Sequence, residues 1–148
     1  MGVPVRIRRV GGRGEPLPLP AYQTAGAAGV DLRADLDVTI APGERIPVPT
    51  GLAFEIPEGH EGQVRARSGL ALRTGLGLPN APGTIDSDFR GELSVLLVNW
   101  GGAPVRIARG ERIAQLVIAP VVHADFQLVD ALSPSVRGGG GFGHTGST

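Results

Sequence analysis

The chain has 148 residues, with 14 basic against 14 acidic side chains, so it is formally neutral and fits one domain of about average size. Cysteine and lysine are both absent, which excludes disulfides, thiol nucleophiles, cysteine-ligated metals and any Walker, Schiff-base or kinase-type lysine. The balanced charge argues against a broad nucleic-acid face. His60, His123 and His144 show no zinc-type spacing, and the apolar run Leu116–Val122 is broken by Pro120, far short of a membrane span.

Taken in chain order, short β-branched segments recur between turn residues: Val3–Val10, Val38–Ile40, Arg45–Pro49, Gly51–Ile56, Gln63–Arg67, Glu92–Trp100, Val105–Ile107 and Arg112–Val122. Turn chemistry separates them, as in Ala41-Pro42-Gly43-Glu44 and Pro57-Glu58-Gly59. Many short strands with frequent turns predict an all-β sandwich or barrel-like fold. A single helical turn is predicted over 69–73, with Ser68 as its cap. Apolar content stops near Ser133, and four consecutive glycines, Gly138–Gly141, mark a flexible tail. The predicted organisation is therefore a β domain over residues 1–132 and a Gly-rich arm over 133–148. The charged N-terminus lacks a signal peptide's apolar stretch, so an intracellular, cytoplasmic protein is expected, with neither a membrane nor a nucleic acid as partner.

Several segments hold chemistry-bearing residues. Arg67-Ser68-Gly69 combines an anion fork, a hydroxyl and a residue that lets backbone approach a ligand, which suits phosphate, although an arginine beside an ordinary helix cap would look the same. Asp86 and Asp88 stand at i and i+2, roughly 7 Å apart on one side of an extended segment, where one acid can polarise water; a solvated turn would show the same pair. Asp31 lies within an apolar strand and needs a partner such as Arg or a metal-bound water. Gln115 stands between Ala and Leu, where its amide satisfies either backbone or a ligand oxygen.

Each signal is weak alone, but their order is not. The sequence resembles the trimeric-type dUTP pyrophosphatase (dUTPase) family. All five family motifs occur in order, as AGVDL (28–32), RSGLA (67–71), GTIDSDFRGE (83–92), RGERIAQL (109–116) and RGGGGFGHTG (137–146). The resemblance runs from Ala25 to Gly146.

The resemblance implies a jelly-roll-like fold, a homotrimer with active sites shared between subunits, and hydrolysis of dUTP to dUMP and pyrophosphate, assisted by Mg²⁺. That reaction clears dUTP and supplies dUMP for thymidylate synthesis. It implies Asp86 as the residue that activates water against the α-phosphorus, with Ser68 orienting the scissile group. Arg67, Ser68, Gly69 and Gln115 are implied phosphate contacts, and Asp31 is implied to reach Mg²⁺ through a coordinated water. Uracil selection is implied for a β-hairpin between Asn80 and Ser94, with Asn80, Gly83, Thr84, Ile85 and Ser94 along the nucleoside. Phe89 is implied to pack on the sugar and block a 2′-hydroxyl. On the arm, Arg137 is implied to meet the terminal phosphate, and Phe142, followed by Gly143, to cover the uracil.

Two positions depart from the family pattern. Phe89 stands where Tyr is usual, keeping the ring without its hydroxyl, and His144 stands where the arm usually has Ser. The imidazole is expected to lend substrate affinity a weak pH dependence. The nearest rival is the related dCTP deaminase, including its bifunctional form. That family carries a second Ser where this chain has Gly69, and it requires a catalytic Glu near the pyrimidine. A non-enzymatic nucleotide-binding module on the same scaffold would not need Asp86, Arg137 and Phe142 together.

Overall fold

Alternation of apolar and polar side chains carries through into short antiparallel strands. The computed structural model describes residues 2–147, and its elements run β1 (Arg6–Arg9), β2 (Val30–Arg33), β3 (Val38–Ile40), β4 (Arg45–Glu55), β5 (His60–Arg65), α1 (Ser68–Thr74), β6 (Leu76–Gly77), β7 (Gly83–Ile85), β8 (Glu92–Asn99), β9 (Val105–Ile107) and β10 (Arg112–Pro120). Two four-stranded sheets form, one ordered β1-β4-β8-β6 and the other β2-β10-β5-β7, while β3 and β9 pair apart. The all-β, jelly-roll-like expectation holds.

The two sheets bury their facing sides. On β8, Leu93, Val95 and Leu97 point inward while Ser94 is exposed. Val48 and Phe54 of β4, Leu32 of β2, and Ile113 and Leu116 of β10 meet them in one core. Each such side chain contributes about 1.5–3 kcal/mol by leaving water. Asn99 is fully buried, and its amide is satisfied: Nδ2 donates to Ile40 O at 2.9 Å and Ala103 O at 2.8 Å, and Oδ1 accepts from Gly101 N at 2.8 Å. That amide joins the ends of β3 and β8.

Three local readings are corrected. The two strands expected over 45–49 and 51–56 are one bent strand, β4. Its register against β8 shifts between Pro49 and Ala53, and Gly51 takes φ +71° at the bend. Space as well as conformation demands glycine there, because a Cβ on residue 51 would stand 2.6 Å from Asp35 Oδ2. Ser68 is not the helix cap. Arg67 holds that position with φ −89° and ψ 122°, without a side-chain capping bond, since its guanidinium is engaged elsewhere. The expected hairpin between Asn80 and Ser94 does not form as a strand pair: β7 joins β5 in one sheet, whereas β8 joins β4 and β6 in the other. The intervening segment crosses between layers.

Regular structure ends at Pro120, and Val121 N donates to Gly59 O at 2.9 Å. Beyond it, Val122, Phe126, Leu128, Leu132 and Val136 are exposed. No helix among the described residues is long and apolar enough to cross a membrane.

Candidate active site

The outward face of the β2-β10-β5-β7 sheet gathers the first group of motif residues. Gln115 on β10 is in register with Asp31 on β2 and with Arg65 on β5, so these three side chains form one row across adjacent strands. Asp31 is only 9% exposed and is held by two guanidiniums, Arg67 Nε at 3.2 Å from Oδ1 and Arg112 Nη1 at 3.1 Å from Oδ2. Arg67 Nη1 also donates to Arg112 O at 3.1 Å. A buried carboxylate needs such partners, and the pair leaves one net positive charge at the surface. Ser68 and Gly69 follow at the start of α1, both exposed, and no atom crowds the space beside Gly69.

Arg112 is a residue that the motif pattern did not single out. Simple alternation puts residues 112 and 115 on opposite faces of a strand. The register shift between Arg112 and Ala114 inserts one extra residue, so Arg112 pairs with Arg33 and shares the face of Asp31 and Gln115. Nothing in the amino-acid pattern marks that bulge.

The second group lies at the other edge of the same sheet. Thr84 on β7 is in register with Gln63 on β5 and exposed, Ile85 is half-buried, and Asp86 is exposed just past the strand. Phe89 N donates to Asp86 O at 3.2 Å and closes a turn there, and among the described residues the Asp86 carboxylate makes no ion pair. The Phe89 ring folds over Gly91, where a Cβ would meet its Cζ at 2.7 Å. Gly83 is buried with Asn80 Nδ2 beside it, so the Asn80 amide lies against the start of β7. A groove of about 980 Å³ runs past Thr84, Asp86 and Asp88 to His60 and His123.

Within one chain these groups do not meet. Three strand spacings separate β2 from β7, roughly 14 Å, and four residues of register add roughly 13 Å, so Asp31 and Asp86 stand on the order of 20 Å apart. Ser94 is on the opposite layer, in register with Pro49 and pointing outward, and is not gathered with Thr84. Among the described residues no hydrogen bond or ion pair joins the arm to either group. Arg137 Nε donates to Gly140 O at 2.7 Å, Phe142 is exposed at φ 47°, and Gly143 takes φ 81°. His144 N donates to Gly141 O at 3.1 Å within the arm.

A third cluster binds the N-terminal segment to the body. Arg13 bridges Asp35 at 3.0 Å and Glu92 at 2.6 Å, and Arg109 reaches Asp35 at 2.7 Å and Glu15 O at 2.8 Å. The Arg13 guanidinium holds the Glu92 carboxyl below its ordinary range, with the Gly51 N–H acting in the same direction and partial burial opposing. The cluster ties together the neighbourhoods of Asp31, Gly91 and Gly110.

Comparison with known proteins agrees with this fold. A family model described as dUTPase matches residues 15–146. The chain is 69% identical over 146 residues, 99% of each chain, to the deoxyuridine 5'-triphosphate nucleotidohydrolase of Anaeromyxobacter sp. (strain Fw109-5). It is 60% identical over 138 residues, 90% of this chain and 86% of the relative, to the protein of that name from Methylocella silvestris. Among solved structures, the dUTPase of Staphylococcus bacteriophage 80alpha with dUPNHPP superposes with a TM-score of 0.89 at 27% identity, covering 97% of this chain and 99% of that one. With the motif residues lying on this fold and the family model spanning nearly all of it, the chain belongs to the dUTPase family.

Proposed function

We propose that the protein hydrolyses dUTP to dUMP and pyrophosphate, in sites built between copies of the chain in a homotrimer. One observation carries the reading. The phosphate-type residues and the Asp86 carboxylate occupy opposite edges of one sheet face, too far apart to act on one nucleotide within a chain. A second copy closes that gap when its Asp86 edge faces the Asp31–Arg67–Gln115 row. Support also comes from the relatives' names and from the exposed apolar side chains at Val122, Phe126 and Leu128, which are suited to burial against another copy.

In that arrangement Asp86 takes a proton from the water that attacks the α-phosphorus, and Ser68 orients the phosphoryl group. Arg67, Ser68, Gly69 and Gln115 hold phosphate oxygens, because phosphoryl transfer asks chiefly for positioning and charge neutralisation. Asn80, Gly83, Thr84 and Ile85 line the uracil, with Ser94 contributing from the neighbouring layer, and the Phe89 ring packs on the deoxyribose. The arm, residues 133–148 beyond a domain of 1–132, closes over the nucleotide. There Arg137 meets the terminal phosphate, and Phe142 and Gly143 cover the base.

The residues fit magnesium of one kind. Among the described residues no three His, Cys, Asp or Glu side chains converge to cage an ion, so a magnesium ion here would take its direct ligands from phosphate oxygens and water. Asp31 accepts one arginine N–H on each oxygen and keeps lone pairs for hydrogens of a coordinated water. Magnesium, when bound with the nucleotide, neutralises phosphate charge. The cytoplasm, where DNA precursors are made, is the proposed compartment. No observation favours deamination of dCTP.

The test is pyrophosphate release from dUTP by the purified protein and by Asp86→Asn, with ammonia release from dCTP measured alongside. Pyrophosphate from the first protein only, without ammonia, supports the reading. Equal release by both proteins overturns the role of Asp86.

A further inference from the structure

Strand β5 turns Gly62 and Val64 into the core and Glu61, Gln63 and Arg65 outward. Arg65 is directly opposite Gln115, which is directly opposite Asp31, so its Cβ stands one strand away from the amide, roughly 5 Å. The side chain is exposed, and among the described residues it has no carboxylate within ion-pair distance. It is nonetheless directed. Arg65 Nη2 donates to Gln63 Oε1 at 2.6 Å, and Gln63 Nε2 donates to Glu61 Oε1 at 2.7 Å, an ordered ladder along one face of the strand. The Glu61 charge is thus met by Gln63, and the Arg65 guanidinium keeps most of its five N–H donors for another acceptor.

Arg67 and Arg112 are both committed to Asp31, and the three together present one net positive charge to a polyphosphate that carries several negative ones. Arg65 doubles that charge beside Gln115, and its planar fork matches phosphate oxygens better than a point charge does. We propose that Arg65 is a further phosphate-binding residue of this site, aimed by Gln63. The inference rests on the reading of the protein as a dUTP hydrolase.

The experiment compares the full-length protein with Arg65→Gln, Arg65→Lys and Gln63→Leu. Steady-state hydrolysis of dUTP is followed over a range of salt, and binding of inorganic tripolyphosphate is followed by calorimetry. Arg65→Gln is expected to raise KM about tenfold with kcat within about twofold, to weaken tripolyphosphate binding by a similar factor, and to flatten the salt dependence of KM. Arg65→Lys recovers part of the loss, and Gln63→Leu shows a smaller rise in KM. Should Arg65→Gln fold poorly, Arg65→Lys and Gln63→Leu alone decide, through a smaller rise in KM and weaker tripolyphosphate binding at an unchanged salt slope, since both keep the positive charge. Unchanged KM, salt slope and tripolyphosphate affinity in the variants overturn the proposal. If the unmodified protein releases no pyrophosphate from dUTP, it is the hydrolase reading that fails, and the tripolyphosphate comparison then decides for Arg65: weaker binding in Arg65→Gln supports it and equal binding overturns it.

Discussion

Arg67 Nε lies 3.2 Å from Asp31 Oδ1, so the arginine of the RSG motif is ion-paired in the free chain to the acid of the AGVDL motif. The pair holds the guanidinium in place and partners a nearly buried carboxylate that stands directly across from Gln115. Two motifs about forty residues apart in sequence thus act as one unit, with Arg112 as its third member.

Replacing Asp31 by Asn keeps the shape and removes the charge. Since Asp31 is assigned to a coordinated water rather than to the ion itself, Asp31→Asn is expected to raise the magnesium concentration for half-maximal activity about 10–100-fold while leaving a folded protein. Titration of magnesium against turnover reads this directly. An unchanged midpoint removes Asp31 from the metal's surroundings.

Stability in acid is expected to depend on Glu92. Its carboxyl titrates below the ordinary value of 4.5 in the folded chain, chiefly because Arg13 donates to it. A depressed folded value means that the stabilisation is fully present above the unfolded value near 4.5 and is lost as pH falls through the folded one. The Tm difference between the unmodified protein and Glu92→Gln is therefore expected to be constant from neutral pH to about pH 5 and to shrink below about pH 4. A difference that stays constant to pH 2 contradicts the Arg13–Glu92 linkage.

Gly51→Ala is expected to cost at least about 2 kcal/mol. It forces an L-residue into φ +71° and drives a methyl group into Asp35, the acid shared by Arg13 and Arg109. Denaturant unfolding measures it, and a loss below about 0.5 kcal/mol would mean that the bend relaxes freely.

Removing residues 137–148 is expected to leave the melting temperature within about 2 °C and the assembly intact, because the arm's backbone bonds are made within the arm itself. Turnover of dUTP is expected to fall at least tenfold, as Arg137 and Phe142 go with it. Full activity in the truncated protein would deny the arm its closing role.

Much of this layout is legible along the chain, because its motifs are contiguous and each of their residue types has a direct chemical reason. The strand over 92–99 follows from Leu93, Val95 and Leu97 alternating with Ser94, and the proposal of a phosphate segment follows from Arg67, Ser68 and Gly69 standing together. What escapes is set by contacts between distant segments. The bulge after Arg112 depends on pairing with β2, the continuity of β4 through Gly51 depends on Asp35 and Glu92, and the split between β7 and β8 depends on which sheet claims each strand. The expected capping by Ser68 fails for a similar reason, since Arg67 is drawn to Asp31 and takes the cap position itself.

The central claim is that Asp86 and Arg67 serve one nucleotide from different copies of the chain, and mixing tests it most directly. Asp86→Asn and Arg67→Gln proteins, each expected to be inactive alone, are unfolded together in equal amounts, refolded and assayed for pyrophosphate release from dUTP. Random assembly pairs an intact Asp86 with an intact Arg67 in about one quarter of the shared sites, so about a quarter of the unmodified activity is expected to return. No recovery, from assemblies shown to contain both chains, would contradict a site shared between copies.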